Sequence, residues 1–188
     1  MDNKKITKNI EKKDSKIRNV FRKLYPTYKY KSVESIPYSF IQENNIKLIM
    51  LDMDNTIIDY SENKYTKELK EWAIRMKRNG IKLYILSNSP FGKLVKRIAT
   101  ELGMKYYYNA SKPFSKGFKK IMEIEKVEKE NMLMIGDQIF TDVWGGNRFG
   151  VRTVLVNPIN SKERLHTKLK RPFEKIVIKR YMKKGENK

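Results

Sequence analysis

Hydrophobic positions along the chain fall into short blocks set between longer segments of helical period. IKLIML (46–51) and IKLYIL (81–86) are apolar runs interrupted only by lysine, the pattern of strands covered on both faces. KYYYNA (105–110), NMLMIG (131–136) and VRTVLV (151–156) read as three more strands. Between the blocks the period changes. YTKELKEWAIRMKRNG (65–80) sets Leu69, Trp72, Ala73 and Met76 on one helical face, with Gly80 as a stop. FGKLVKRIATELG (91–103) places Leu94, Ile98 and Leu102 at fourfold spacing before Gly103, and SKGFKKIMEIEKV (115–127) reads as a third helix. Strands alternating with helices predict an α/β fold, a Rossmann-like doubly wound parallel sheet of about five strands.

Charge changes the picture at the two ends. The 188 residues carry a formal net charge of +21. Residues 1–32 and 159–188 each hold eleven Lys/Arg against three acids, and the body between them is close to balanced. The pattern divides the chain into a basic N-terminal segment (1–32), a central domain (33–158) and a basic C-terminal segment (159–188). Both ends have amphipathic stretches. In 16–26, Ile17, Val20, Phe21, Leu24 and Tyr25 form an apolar stripe beside Arg18, Arg22 and Lys23. In 172–185, Phe173, Ile176, Val177 and Tyr181 form another beside Lys175, Lys179 and Lys183, with Pro172 in the first turn. Such helices can lie on an anionic membrane face, bind nucleic acid, or pack their apolar sides onto the sheet. Cysteine is absent, which excludes disulfides and thiolate metal sites. With no apolar run of about 20 residues and no signal-like N-terminus, the expected location is the cytoplasm, with peripheral attachment to the inner membrane face.

Candidate chemistry gathers where open parallel sheets bind ligands, at the carboxyl ends of the strands. The first strand runs into Asp52 and Asp54, the second into Ser87 and Asn88, and the third is followed by Lys112 and Pro113. The fourth ends in GDQIFTD, which holds Asp137 and Asp142. Side chains two apart on an extended chain share a face, so Asp52 and Asp54 can address one pocket. Carboxylates that close need a cation, and an all-oxygen set suits Mg²⁺. A lysine in the same place suits a phosphate. Lys116 competes with Lys112 for that role, and Asp142 could instead cap a helix start. Thr56 is expected to tighten the loop after the strand, Gly145 and Gly146 to permit close packing, and Trp144 to belong to the core.

DMDNT, LSNS, KP and GDQIFTD, in that order and each at a strand end, resemble the four motifs of the haloacid dehalogenase superfamily of phosphohydrolases. The stretches GIKLYILSNS, ASKP, GDQIFTDVWGGNRFG and TVLVNPI are similar to its IIIA-type YqeG branch, itself similar to phosphatidylglycerophosphate phosphatases. The resemblance covers the chain from about Leu24 onward. It implies Asp52 as nucleophile, forming an aspartyl-phosphate, and Asp54 as general acid and base. It implies a Mg²⁺ site of Asp52, the Asp54 carbonyl and Asp137, with Asp142 as ligand or support. Ser87 and Asn88 would bind a phosphoryl oxygen, and Lys112 would neutralise charge. The 35 positions from Asp52 to Ser87 and the 25 from Ser87 to Lys112 are already filled by core elements, which leaves no room for a cap domain. An uncapped site admits a phosphate on something large. The expected substrate is a phosphorylated lipid headgroup, specifically phosphatidylglycerophosphate in phosphatidylglycerol synthesis. The alternatives are a nucleic-acid end or a phosphoprotein, or a non-catalytic RNA- or ribosome-associated module.

Overall fold

The computed structural model describes residues 21–59, 61–160 and 165–183, with side chains left out for 165–171 and 183. Six strands form one parallel sheet: β1 (Tyr28–Lys29), β2 (Leu48–Leu51), β3 (Lys82–Leu86), β4 (Lys105–Tyr107), β5 (Met132–Gly136) and β6 (Arg152–Leu155). Their order is β1-β6-β5-β2-β3-β4, so the first motif strand, β2, sits inside the sheet between β5 and β3. This is the expected α/β sheet with one strand more. The addition is the two-residue edge strand β1, paired with β6, which is too short to leave a period in the sequence.

Helices α2 (Lys67–Arg78), α3 (Gly92–Leu102) and α4 (Lys116–Glu125) fall where the helical period placed them. α2 buries Leu69, Trp72, Ala73 and Met76, the expected face, and Thr66 caps its start by accepting from the Leu69 N–H at 3.2 Å. α3 buries Val95, Ile98, Ala99 and Leu102, while Leu94 is only half-buried; Gly103 ends it at φ 61°, in the left-handed region. A short helix, α1 (Tyr38–Glu43), was not anticipated from the pattern. It feeds Phe40 and Ile41 into the core, and the preceding Ile36 carbonyl accepts from the Trp72 indole at 2.9 Å. One core lies on each face of the sheet. The first includes Ile49, Leu51, Ile85, Ile98, Trp72 and Ile135; the second includes Met50, Leu86, Phe118, Ile121 and Met134. β2 and β5 are buried along their whole length, as strands covered on both faces must be.

The expected C-terminal stripe needs correction. α6 (Leu165–Lys183) begins seven residues before Pro172, so the proline lies inside the helix, where its φ fits but one hydrogen bond is lost. Val177 and Tyr181 are buried against Leu24, Tyr25, Ile139, Val143 and Leu155, whereas Phe173 and Ile176 are exposed. The inward face is Glu174, Val177, Ile178 and Tyr181, an i, i+3, i+4, i+7 set that a carboxylate hides from a hydrophobic count. Arg180 lies over the Phe21 ring at 5.2 Å, and Leu24 and Tyr25 are buried, so the described part of the N-terminal stripe packs on the body. Ile17, Arg18 and Val20 lie outside the described residues. No helix among the described residues is long and apolar enough to cross a membrane.

Candidate active site

The register sets the ends of three strands level. Leu51 pairs with Ile85 on β3 and with Ile135 on β5, and the Asp52 N–H still donates to the Ile135 carbonyl at 2.9 Å. Asp52, Ser87 and Asp137 therefore leave the sheet side by side. After Gln138 the chain winds into a π-helical turn (Ile139–Val143) before α5 (Trp144–Phe149). That wide turn brings Asp142 back toward the strand ends, and its Oδ2 accepts from the Gln138 N–H at 3.2 Å. Asp142 is thus no N-cap. A Cβ on Gly136 would sit 2.6 Å from the Asp142 Cβ and closer still to its carboxylate, so only glycine leaves this space.

Asp52, Asp137 and Asp142 are buried, and one oxygen from each lies within 4.8 Å of the others. Lys112 completes the cluster. Its Nζ is 2.6 Å from Asp52 Oδ1 and 2.7 Å from Asp142 Oδ1, with the side chain 1% exposed. Burial alone pushes Lys112 toward its neutral form, but Asp142 and Asp52 outweigh it and hold the ammonium above the ordinary lysine pKa. Burial raises the Asp142 carboxyl, and the Asp52 charge adds to the rise against the pull of Lys112. Lys116 is exposed at the first position of α4, so Lys112 is the lysine of the cluster.

Supporting residues hold this geometry. Thr56 is buried; its hydroxyl donates to Asp137 Oδ1 at 3.1 Å and lies 3.5 Å from Asp52 Oδ2. Its role is therefore closer to the carboxylates than a loop contact. Ser87 is buried, and its Oγ accepts from the Ser89 N–H at 3.0 Å, which turns the loop and leaves the hydroxyl proton to donate. Asn88 is exposed, and both ends of its amide hold the Lys112 backbone: Nδ2 donates to the carbonyl at 2.9 Å and Oδ1 accepts from the N–H at 2.7 Å. The Lys112–Pro113 peptide is cis. Asp54 is half-exposed and stands outside the three-carboxylate group, in a bridge with Ile58 that begins a flap (54–59 and 61–64) closed by the Asp59–Lys64 bridge. Farther along, Asp59 accepts from the Ser61 N–H at 2.7 Å and from Asn160 Nδ2 at 2.8 Å, tying the flap to the segment after β6.

A supporting acid remote from the motifs also escaped sequence reasoning. Glu174 on α6 is buried, and its Oε1 accepts from the Ile139 N–H at 2.7 Å and the Phe140 N–H at 3.4 Å. It anchors the start of the turn that carries Asp142. A lone acid within a basic amphipathic helix was the available signal. Gly145 and Gly146 play the expected packing role: a Cβ on Gly145 would meet Pro113 Cα at 3.1 Å, and one on Gly146 would meet Thr153 Cγ2 at 2.6 Å. Trp144 is half-buried on the core beneath α6, with Arg148 over its ring.

Three buried carboxylates beside one ammonium leave an excess of negative charge in a small polar space without His or Cys. That donor set fits a hard divalent cation such as Mg²⁺. Among the described residues, the flap, α2 and β3 lie between Asp52 and Ser87, and α3 and β4 between Ser87 and Lys112, with no cap over the site.

Comparisons with known proteins supply the family. The haloacid dehalogenase-like hydrolase family model matches residues 62–150. The chain is 36% identical over 155 residues to the Bacillus subtilis protein named "Probable phosphatase YqeG", covering 82% of this chain and 90% of that one. It is 26% identical over 176 residues to the Arabidopsis thaliana protein named phosphatidylglycerophosphate phosphatase 1, chloroplastic/mitochondrial, covering 85% of this chain and 49% of that one. A crystal structure of an uncharacterized Listeria monocytogenes protein shares the fold, with a TM-score of 0.51 at 23% identity over 64% of this chain and 85% of that one. The chain belongs to the haloacid dehalogenase superfamily, among its phosphatases that hydrolyse phosphoric monoesters, in the branch of Bacillus subtilis YqeG.

Proposed function

We propose that the protein hydrolyses the phosphomonoester of a membrane lipid headgroup, phosphatidylglycerophosphate, through a phosphorylated Asp52. The observation that carries the chemistry is the buried contact of Asp52 with Lys112, beside Asp137 and Asp142. In this reading one Asp52 oxygen attacks phosphorus in line with the leaving oxygen. Asp54, half-exposed on the flap, gives its proton to that oxygen and then takes one from the water that attacks the aspartyl-phosphate. Lys112 offsets charge on Asp52 and on the phosphoryl oxygens, and the Ser87 hydroxyl donates to one of them. Asn88 holds the Lys112 backbone in register and is a positioning residue in this scheme. Asp52, Asp137, Asp142 and the Asp54 carbonyl would hold Mg²⁺. When bound, the ion neutralises charge between the carboxylates and the phosphoryl group.

Three features support a lipid substrate. The site is uncapped, so a phosphate fixed in a surface can reach it. The relative from Arabidopsis thaliana carries the phosphatidylglycerophosphate phosphatase name. The outer face of α6 exposes Phe173, Ile176 and Met182 together with Lys175 and Lys179, a composition suited to an anionic membrane interface. The test is turnover by purified full-length protein with Mg²⁺ on three substrates: phosphatidylglycerophosphate, a 5′-phosphorylated oligonucleotide and a phosphopeptide. Faster release from the lipid supports the reading. Faster release from either of the others moves the substrate to that class while keeping the chemistry.

A further inference from the structure

The two loops that Asn88 ties together each present an exposed phenylalanine. Phe91 lies three residues beyond Asn88 and Phe114 two beyond Lys112, and each residue is 63% exposed. Neither packs on another ring among the described residues. Tyr108, 47% exposed, lies against Gly92 on the Phe91 side: a Cβ on Gly92 would meet its ring at 3.0 Å. The two segments that carry the rings hold charge of one sign. Ser87–Ile98 and Tyr108–Met122 contain no acid, and Lys93, Lys96, Lys116 and Lys120 are exposed without an ion pair among the described residues.

We propose that Phe91 and Phe114 form a membrane-docking rim for the active site, the rings entering the acyl region of an anionic bilayer and the four lysines meeting its headgroup phosphates. The inference rests on the lipid-substrate reading and adds the surface that delivers the lipid. Each phenylalanine gains by leaving water for hydrocarbon, and stacking on an unpaired base is the competing use that the oligonucleotide arm of the test separates. The lysines supply complementary charge at the depth where phosphates lie. Asn88 holds the Lys112 backbone through both its N–H and its carbonyl, which ties the two loops together next to the site. Docking the rim therefore sets the phosphate height against Lys112 and Asp52.

The experiment uses full-length Phe91→Trp and Phe114→Trp proteins with vesicles of phosphatidylcholine alone or mixed with phosphatidylglycerol. Trp72 and Trp144 give the background, measured in the unsubstituted protein. The emission should shift to the blue only with the mixed vesicles, and brominated acyl chains should quench it. Partitioning of Phe91→Ser and Phe114→Ser onto mixed vesicles should weaken by about tenfold each. No shift, no quenching and unchanged partitioning, while phosphatidylglycerophosphate in vesicles is still hydrolysed, overturns the docking rim and leaves the lipid reading standing. A shift produced by a phosphorylated oligonucleotide but not by vesicles overturns it in favour of a nucleic-acid surface. If the unsubstituted protein fails to hydrolyse the lipid in either vesicles or detergent micelles, the lipid reading itself is wrong.

Discussion

Replacing Lys112 by Met would leave three buried carboxylates with no cation beside them. The side chains are close in volume, so the perturbation is the charge. At 2.6 and 2.7 Å, each contact is worth about 6 kcal/mol before desolvation at an effective dielectric of 20. Desolvating the lysine and both carboxylates takes back most of that sum. The loss expected on removing one partner of a buried pair is about 3–5 kcal/mol, because the remaining charges stay buried and unpaired. For a chain of this size, that corresponds to a fall in melting temperature of roughly 6–20 °C. Calorimetry in EDTA at neutral pH reads it directly. Two further signs follow from the same cluster. Added Mg²⁺ should raise the melting temperature of Lys112→Met more than that of the parent protein, since a cation then answers a larger negative excess. The gap between the two proteins should narrow toward acid pH, as protonation relieves the repelling carboxylates. A melting temperature within about 2 °C of the parent in EDTA would refute the reasoning, because it would mean that the cluster does not depend on the lysine charge.

Other outcomes follow from neighbouring contacts. Glu125, with its side chain 5% exposed, meets Lys105 at 2.6 Å, Lys82 at 3.0 Å and the Tyr84 hydroxyl. Burial opposes its ionisation, yet Lys105 foremost, with Tyr84 and Lys82, holds its pKa down at about 2. A depressed folded-state pKa stabilises the fold above the unfolded value near 4.5 and loses that contribution as pH falls through about 2. Glu125→Gln should therefore lower the melting temperature at pH 7, and the deficit should shrink between about pH 4.5 and 2. Gly136→Ala should displace Asp142, weakening Mg²⁺ binding measured by titration calorimetry more than it lowers the melting temperature; an unchanged Mg²⁺ affinity would show that Asp142 takes no part in holding the ion. Asp54→Asn should slow enzyme phosphorylation by an alkyl phosphate far more than by an aryl phosphate, whose leaving group needs little protonation. Equal losses would remove Asp54 from the acid role.

Much of the fold was legible because the strands are buried on both faces and the helices on one. Those are the periods that apolar residues record. β1 and α1 were not legible, being two and six residues long. The cluster of Asp52, Asp137, Asp142 and Lys112 was legible because each residue follows a strand, and parallel register makes strand ends level. The supports were hidden for different reasons. Gly136 matters through the side chain it lacks. Thr56 and Asn88 act through hydrogen bonds whose direction a sequence does not carry. Glu174 reads as a solvated charge until the π-helical turn brings two backbone N–H groups to it. Phe173 and Ile176 were counted into the wrong face of α6 for the same reason: the central inward position is a carboxylate.

The central claim is that Asp52 takes the phosphoryl group. Asp54→Asn, mixed with Mg²⁺ and an aryl phosphate carrying labelled phosphorus and quenched in acid, should hold label on the protein that hydroxylamine releases. Peptide mapping should place it on the fragment containing Asp52, and Asp52→Asn should hold none and release no phosphate. Label on another residue, or full phosphate release by folded Asp52→Asn, would contradict the account.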